Sequence, residues 1–363
     1  MILYRYIARR FAFAFFATMG IFAVILGLID LVEQLRRHAG DGIAFGRIAG
    51  LAALNMPGTL YALLPLITIL ATLSLFLSLS RSSEMVVTRA AGRSALASLR
   101  APVLVSLVLG ALAVAALNPI VAATSERYRI LSDRLTGDGS TLSVAEDGLW
   151  LRQGGEGRQT VIRARRASPD GTELDGATFL TFDDTGTPLL RIEARGARLE
   201  DGAWVIDGAK LWSLETPNPE VVAETREVMR LPTDMTAARI RETFAAPQFV
   251  PIWELPAFIA RLETAGLSSQ AHRMFLWGEI ALPAFMAAMT MIAAAFTMRH
   301  TRVSRTGLMV LMAVLTGFGL YFVRNFSQVL GETGQLPVLL AAWAPPLAGI
   351  FLAAGLVLHL EDG

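Results

Sequence analysis

The chain has no cysteine and, in 363 residues, a single lysine, Lys210. Without cysteine there can be no disulfide, so any domain outside the cytoplasm must be held by its own apolar core. A domain of about 150 residues is large enough to do that. With one lysine, set in a strand-like run, there is no Gly-x-x-x-x-Gly-Lys-Ser/Thr loop, and the chain cannot be its own P-loop ATPase. The four histidines, His38, His272, His300 and His359, are too scattered for a metal-ligand motif. No Gly-x-Ser-x-Gly nucleophile elbow occurs. The paired carboxylates Asp183–Asp184 and Glu146–Asp147 sit among turn residues and read as turn chemistry. These absences leave no enzyme, and no cofactor, metal or nucleic-acid partner is expected.

What is abundant is apolar sequence. With 53% hydrophobic and 17% charged residues, the chain reads as an integral membrane protein. Six segments are long enough to span, at 11–31, 54–79, 101–123, 275–297, 307–327 and 336–360. The first follows Arg5, Arg9 and Arg10, but its uncharged run is too long for a cleaved signal peptide. With the N-terminus inside, the cytoplasmic pieces hold Arg5, Arg9, Arg10, Arg81, Arg89, Arg93, Arg100, Arg299, Arg302 and Arg305. The opposite short loops hold Arg36, Arg37 and Arg47, with Arg324 near a span end. This positive-inside bias places the long polar insert, 124–273, on the extracytoplasmic side. The insert holds 18 Lys/Arg and 23 Asp/Glu, and the remainder 14 and 8. An acidic insert thus separates two basic membrane blocks, 1–123 and 274–363.

Within the insert the hydrophobic period changes. Leu149–Arg152, Thr160–Arg163, Ala177–Phe182, Leu189–Ala194, Ala203–Ile206 and Ala209–Leu214 read as strands, separated by Gly- and Asp-rich turns. Such spacing predicts an antiparallel β domain, a sandwich or jelly roll near 140–231. Trp150, Phe179, Phe182, Trp204 and Trp212 are its expected core. A helix is expected at 252–264.

Three polar clusters stand near the spans. After span one, Asp30, Glu33 and Arg37 fall within about 60° of one another on a helix, whereas Arg36 lies about 100° from Arg37. Two readings stay open: a self-paired helix end, or a charged stripe at the mouth of a cavity. Only Arg37 shares the face of Asp30 and Glu33, so the spacing argues against complete neutralisation of the arginines. After span two, Ser82 or Ser83 can cap a short helix that Gly92 ends, with Glu84 the only acid in a basic loop. It could lie on the membrane as an interfacial helix or present Glu84 to a partner's groove. Span five ends in Tyr321, Arg324, Asn325 and Gln328, a polar edge.

Taken in order, Asp30-Leu-Val-Glu-Gln-Leu-Arg-Arg37, Ser83-Glu-Met-Val-Val-Thr-Arg-Ala-Ala-Gly92, Gly148-Leu-Trp-Leu-Arg152 and Ala342-Trp-Ala-Pro345 resemble the lipopolysaccharide-export ABC permeases of the LptF/LptG family. The G-type branch is the more similar, and the resemblance covers the whole length. It implies six transmembrane helices arranged 3+3 around a periplasmic, jelly-roll-like β domain. It implies a bacterial inner-membrane permease subunit that extracts lipopolysaccharide from the outer leaflet and passes it to a periplasmic bridge. The implied partners are a second, LptF-like permease, a cytoplasmic LptB-like ATPase dimer and a single-span LptC-like bridge protein. The 83–92 stretch matches the family's coupling helix, which assigns Glu84, Arg89 and Gly92 to the ATPase contact. Arg36 and Arg37 match basic positions suited to lipid phosphates. With only Arg37 on the face of Asp30 and Glu33, the spacing predicts that Arg36→Glu impairs lipid capture more than Arg37→Glu. Where some G-type members carry a lysine this chain has Asp30, which implies either that the basic role passes to Arg36, Arg37 or Arg324 or that the lipid here has fewer phosphates. In the family the F-type partner makes the main bridge connection, which implies a supporting role for this β domain. Two other readings compete. A mechanotransmission permease of the macrolide-export type has four spans, not six. A membrane-anchored β scaffold would need no coupling helix.

Overall fold

In the computed structural model the described residues are 2–39, 44–85, 88, 94–136, 141–145, 148–155, 158–168, 171–183, 185–200, 202–216, 218–233, 235–236, 246–264, 268–298 and 306–361. Two compact units result: Met1–Tyr128 with Arg273–Gly363, and Arg129–His272.

The first unit is helical. Its elements are α1 (Ile2–Arg37), α2 (Phe45–Ala62), α3 (Leu64–Arg81), α4 (Ala95–Leu112), a π turn (Ala113–Leu117) and α5 (Asn118–Thr136), then α7 (Gln270–Thr297), α8 (Thr306–Glu332) and α9 (Val338–Glu361). Six segments are long and apolar enough to cross a membrane, the third running through α4, the π turn and α5. Phe11 and Phe15 of α1 pack with Ile67, Leu75 and Phe76 of α3 and with Leu282 and Met286 of α7. Helix α7 is the most buried, whereas α1 and α8 leave their apolar faces open. Buried hydroxyls do not interrupt this packing, because each bonds back within its helix: Thr68 to Leu64 O and Thr72 to Thr68 O, both at 2.7 Å. Close approach of α4 to α7 depends on Gly110, where a Cβ would lie 2.6 Å from Pro283 Cα.

Span two differs from the single helix expected over 54–79. Helix α2 starts at Phe45, and α2 and α3 meet at a break on Leu63. Pro65 explains the break, since it has no N–H and its ring crowds the carbonyl four residues back. The apolar run continues through the break, which hides it in a hydropathy profile.

The second unit carries one seven-stranded antiparallel sheet in the order β1-β2-β3-β4-β5-β6-β7. The strands are β1 (Thr141–Ala145), β2 (Gly148–Gly155), β3 (Arg158–Ala167), β4 (Glu173–Asp183), β5 (Pro188–Glu200), β6 (Ala203–Ser213) and β7 (Glu224–Pro232). Every strand pairs with its neighbour in sequence, so the β insert is a meander among the described residues. Its core is one face of that sheet, including Leu149, Leu151, Ile162, Phe179, Ile192, Trp204 and Ile206. Phe179 and Trp204 meet edge to face at 6.3 Å.

Four strands change face at one level. Buried positions step by three there: Ala164 to Ala167, Leu174 to Ala177, Ala194 to Ala197, and Ile206 to Ala209. At that level Gly176 (φ +62°) and Gly208 (φ +63°) take a left-handed conformation, and the Arg165 and Arg195 side chains cover them. A Cβ at either glycine would overlap guanidinium Nε. These glycine kinks insert the extra residue that shifts the two-residue period. They also join the expected runs 203–206 and 209–214 into the single strand β6.

The aromatic core is smaller than the sequence suggests. Phe179 and Trp204 are fully buried, but Trp150, Phe182 and Trp212 are only partly so. Trp150 lies between the buried Leu149 and Leu151, so alternation turns it to the other face. There Arg163 covers it at 5.5 Å. Trp212 is covered by Arg191 at 5.5 Å and Lys210 at 4.7 Å, and donates through Nε1 to Glu220. The Lys210 ammonium, 2.6 Å from Glu220, is the main reason this carboxyl is held below the usual range. After the sheet, α6 (Leu255–Thr264) buries Leu255, Phe258 and Leu262, a helical stripe.

Candidate functional site

The loop after α3 is tied to the start of the chain. Glu84 accepts from Tyr6 Oη at 2.9 Å, from Arg10 Nη1 at 3.0 Å and from Ser82 Oγ at 2.8 Å. Burial alone would push the Glu84 carboxyl up. The Ser82 and Tyr6 bonds, with the Arg10 charge, outweigh it and hold the carboxyl below the usual range. Arg10 also lies 4.9 Å from the Tyr6 ring. Met85 is buried beside this cluster, against the core that holds Ile7 and Leu79. Thr88 bonds back to Glu84 O at 2.7 Å, a helical i,i+4 contact. The other expected coupling residues, Arg89 and Gly92, lie outside the described residues.

At the far end of α1 the arginines share one acid. Arg36 donates to Glu33 from Nε and Nη2, both at 3.0 Å, and Arg37 from Nε at 2.9 Å. The expectation that only Arg37 shares the face of Glu33 is therefore corrected. Glu33 and Arg36 are an i,i+3 pair, about 60° apart on the helix, so the carboxylate lies within reach of both guanidiniums. Arg36 spends two of its nitrogens on Glu33. Arg37 spends one and keeps both Nη groups available, with its side chain 61% exposed. Asp30 is not part of this fork. Its Oδ1 accepts from Asn55 Nδ2 of α2 at 2.9 Å, while its Oδ2 is buried with no hydrogen bond. Gln34, also buried, donates to Tyr128 Oη at 2.8 Å and so fixes α1 against α5.

Among the described residues, Arg324 of α8 makes no ion pair with that fork. Its guanidinium lies 5.2 Å from the Phe285 ring of α7. Its charge acts on Glu279 and Tyr61. Glu279, 5% exposed, accepts from Tyr61 Oη of α2 and from Asn118 Nδ2 of α5 at 3.3 Å. Sequence reasoning passed over Glu279, although a carboxyl inside an apolar span is itself a signal. Tyr61 and Asn118 carry no such signal, because each sits in a run that reads as ordinary span.

The chain thus carries six candidate spans, an inserted antiparallel sheet and a polar loop pinned to the N-terminal helix. Residues 5–359 match the family described as lipopolysaccharide export system permease LptF/LptG. The chain belongs to the LptF/LptG family. It is similar to the lipopolysaccharide export system permease protein LptG of Haemophilus influenzae (strain ATCC 51907 / DSM 11121 / KW20 / Rd). That relative is 24% identical over 377 residues, covering 99% of this chain and 98% of the relative. LptG of Escherichia coli (strain K12) is 23% identical over 353 residues, covering 97% and 94%. The match of LptF/LptG permeases to nearly every residue takes in all six spans and the sheet. A four-span permease does not fit this arrangement.

Proposed function

We propose that this chain is the G-type permease subunit of a lipopolysaccharide exporter in the inner membrane. The observation that carries the reading is the family match over residues 5–359 on a chain of six spans and one antiparallel β insert. A second, LptF-like permease closes the lipid cavity, and an LptB-like ATPase dimer supplies the energy from the cytoplasmic side. The chain itself contributes no hydrolytic chemistry. Lipopolysaccharide enters from the outer leaflet and leaves through periplasmic β domains toward an LptC-like bridge protein.

Within that reading the residues divide by membrane side. Glu84, with Arg89 and Gly92, belongs to the helix that seats in the ATPase. Its contacts with Tyr6 and Arg10 make span one part of the same lever, since a push on the loop reaches α1 directly. Arg36 and Arg37 stand at the outer end of α1, where an outer-leaflet lipid presents its phosphates. Glu33 fixes both guanidiniums without covering them, because an arginine has five N–H donors and each retains some. Arg324 lies 18 residues from Thr306, about 27 Å along its helix, close to the far boundary of a hydrocarbon core about 30 Å thick. It supplies a second cationic point at that level.

Photo-crosslinking from position 37 in native membranes tests the reading. Lipopolysaccharide adducts that persist when ATP is depleted and diminish on ATP turnover support an export path at this helix end. Adducts only with bulk phospholipid would reject it.

A further inference from the structure

The two irregular segments among the described membrane helices meet at one carboxyl. Tyr61 belongs to the last turn of α2, just before the break at Leu63, and donates to Glu279 Oε2. Asn118 is the first residue after the π turn Ala113–Leu117, and donates to the same oxygen. Glu279 itself lies inside α7, the most buried span. The break is held from a third side, where Tyr321 Oη of α8 donates to Ala62 O at 3.2 Å. Arg324, one turn beyond Tyr321, adds its charge.

Each part of this arrangement carries a cost that a static bundle would not need. A carboxyl in an apolar span is expensive unless hydrogen-bonded, and placing it there marks a role. A helix break in the membrane persists only when neighbours satisfy the freed backbone groups, as Tyr321 does for Ala62. A π turn in a membrane helix is a place where the hydrogen-bond register can change. Glu279 lies 18 residues from Thr297, about 27 Å along α7, so it shares the level of Arg324. Beyond that level α2 and α5 continue, each for more than a helical turn.

We propose that Glu279 is the latch of a double hinge. Span two bends at Leu63 and span three at the π turn, and the Tyr61–Glu279–Asn118 contact holds both bends in one setting. Release of the two donors lets the outer portions of these spans swing against α7. The permease reading supplies what such a motion would serve, but the latch itself does not depend on that reading.

The absence of cysteine allows a direct test. Spin labels are placed on the full-length chain in lipid nanodiscs through Phe45→Cys and Phe351→Cys, both at exposed positions. Double electron–electron resonance then reads the distance between α2 and α9. The wild-type latch gives one distance population. Tyr61→Phe removes one hydroxyl and keeps the ring, and it should raise a second population about fivefold or more, the effect of one buried hydrogen bond. Glu279→Leu should do the same more strongly. If Glu279→Leu does not fold, Tyr61→Phe decides alone. A wild-type distribution in Tyr61→Phe and in any folded Glu279→Leu protein would overturn the latch. No ATPase or lipopolysaccharide is present in this measurement, so failure of the export reading leaves its outcome unchanged.

Discussion

Arg10 Nη1 lies 3.0 Å from Glu84 Oε1, which ion-pairs the basic start of span one to the loop after span two. One carboxylate therefore faces two demands: the partner ATPase in the proposed function, and α1 within the chain. A charge swap separates them. Glu84→Ala should strip the ATPase from the purified complex, a loss of about 2–5 kcal/mol for removing a charged partner at a buried contact. Glu84→Arg combined with Arg10→Glu restores the internal pair and should leave the ATPase lost. If the swap restores ATPase retention, Glu84 acts through α1 and not on the partner.

The same carboxylate makes the loop sensitive to acid. Its value is depressed in the folded chain, so its contribution to stability is complete above the ordinary carboxylate range. It declines as the pH falls through the depressed value. A spin label at Thr88→Cys should become more mobile over that acidic interval and not between neutral and mildly alkaline pH. In Glu84→Gln the acid-dependent step should vanish.

Much of this architecture is legible in the sequence, and the illegible parts have identifiable causes. Spans and strands follow from long apolar runs and from alternation, which is why Leu149, Leu151 and Ile162 could be placed in strands. The face of each strand is less visible, because it depends on Gly176 and Gly208 adopting positive φ partway along. Counting by two past those glycines puts Trp212 in a core that it leaves. The break at Leu63 is signalled by Pro65 but masked by leucines and isoleucines on both sides. The Arg36–Glu33 pair is also written in the sequence, because the i,i+3 spacing sets Arg36 about 60° from Glu33 although it stands about 100° from Arg37. Glu279 gains its meaning only from Tyr61 and Asn118, far away in sequence.

At the outer end of α1 the geometry ranks the two arginines. Arg37 retains more free donors than Arg36, so Arg37→Glu should reduce lipopolysaccharide crosslinking more than Arg36→Glu. Glu33→Gln, which releases both guanidiniums, should increase it. Equal crosslinking in all three variants would show that this helix end does not meet the lipid.

The β unit offers a stability contrast between two tryptophans on one strand. Trp204 is fully buried against Phe179, and Trp204→Ala should cost about 3–5 kcal/mol. Trp212 lies on the opposite face under Arg191 and Lys210, and Trp212→Ala should cost about 1 kcal/mol. Gly176→Ala should cost about 1–3 kcal/mol, from the strained φ and the displaced Arg165. Thermal unfolding of the full-length protein, followed by tryptophan-free strand signals in the infrared, ranks the three.

Native mass spectrometry of the full-length chain, purified gently from its own membranes, bears most directly on the export function. The proposed function predicts an assembly of this chain with one second family permease and two ATPase subunits, carrying lipopolysaccharide that leaves on ATP turnover. A chain released alone, or an assembly that holds only phospholipid before and after turnover, would contradict it.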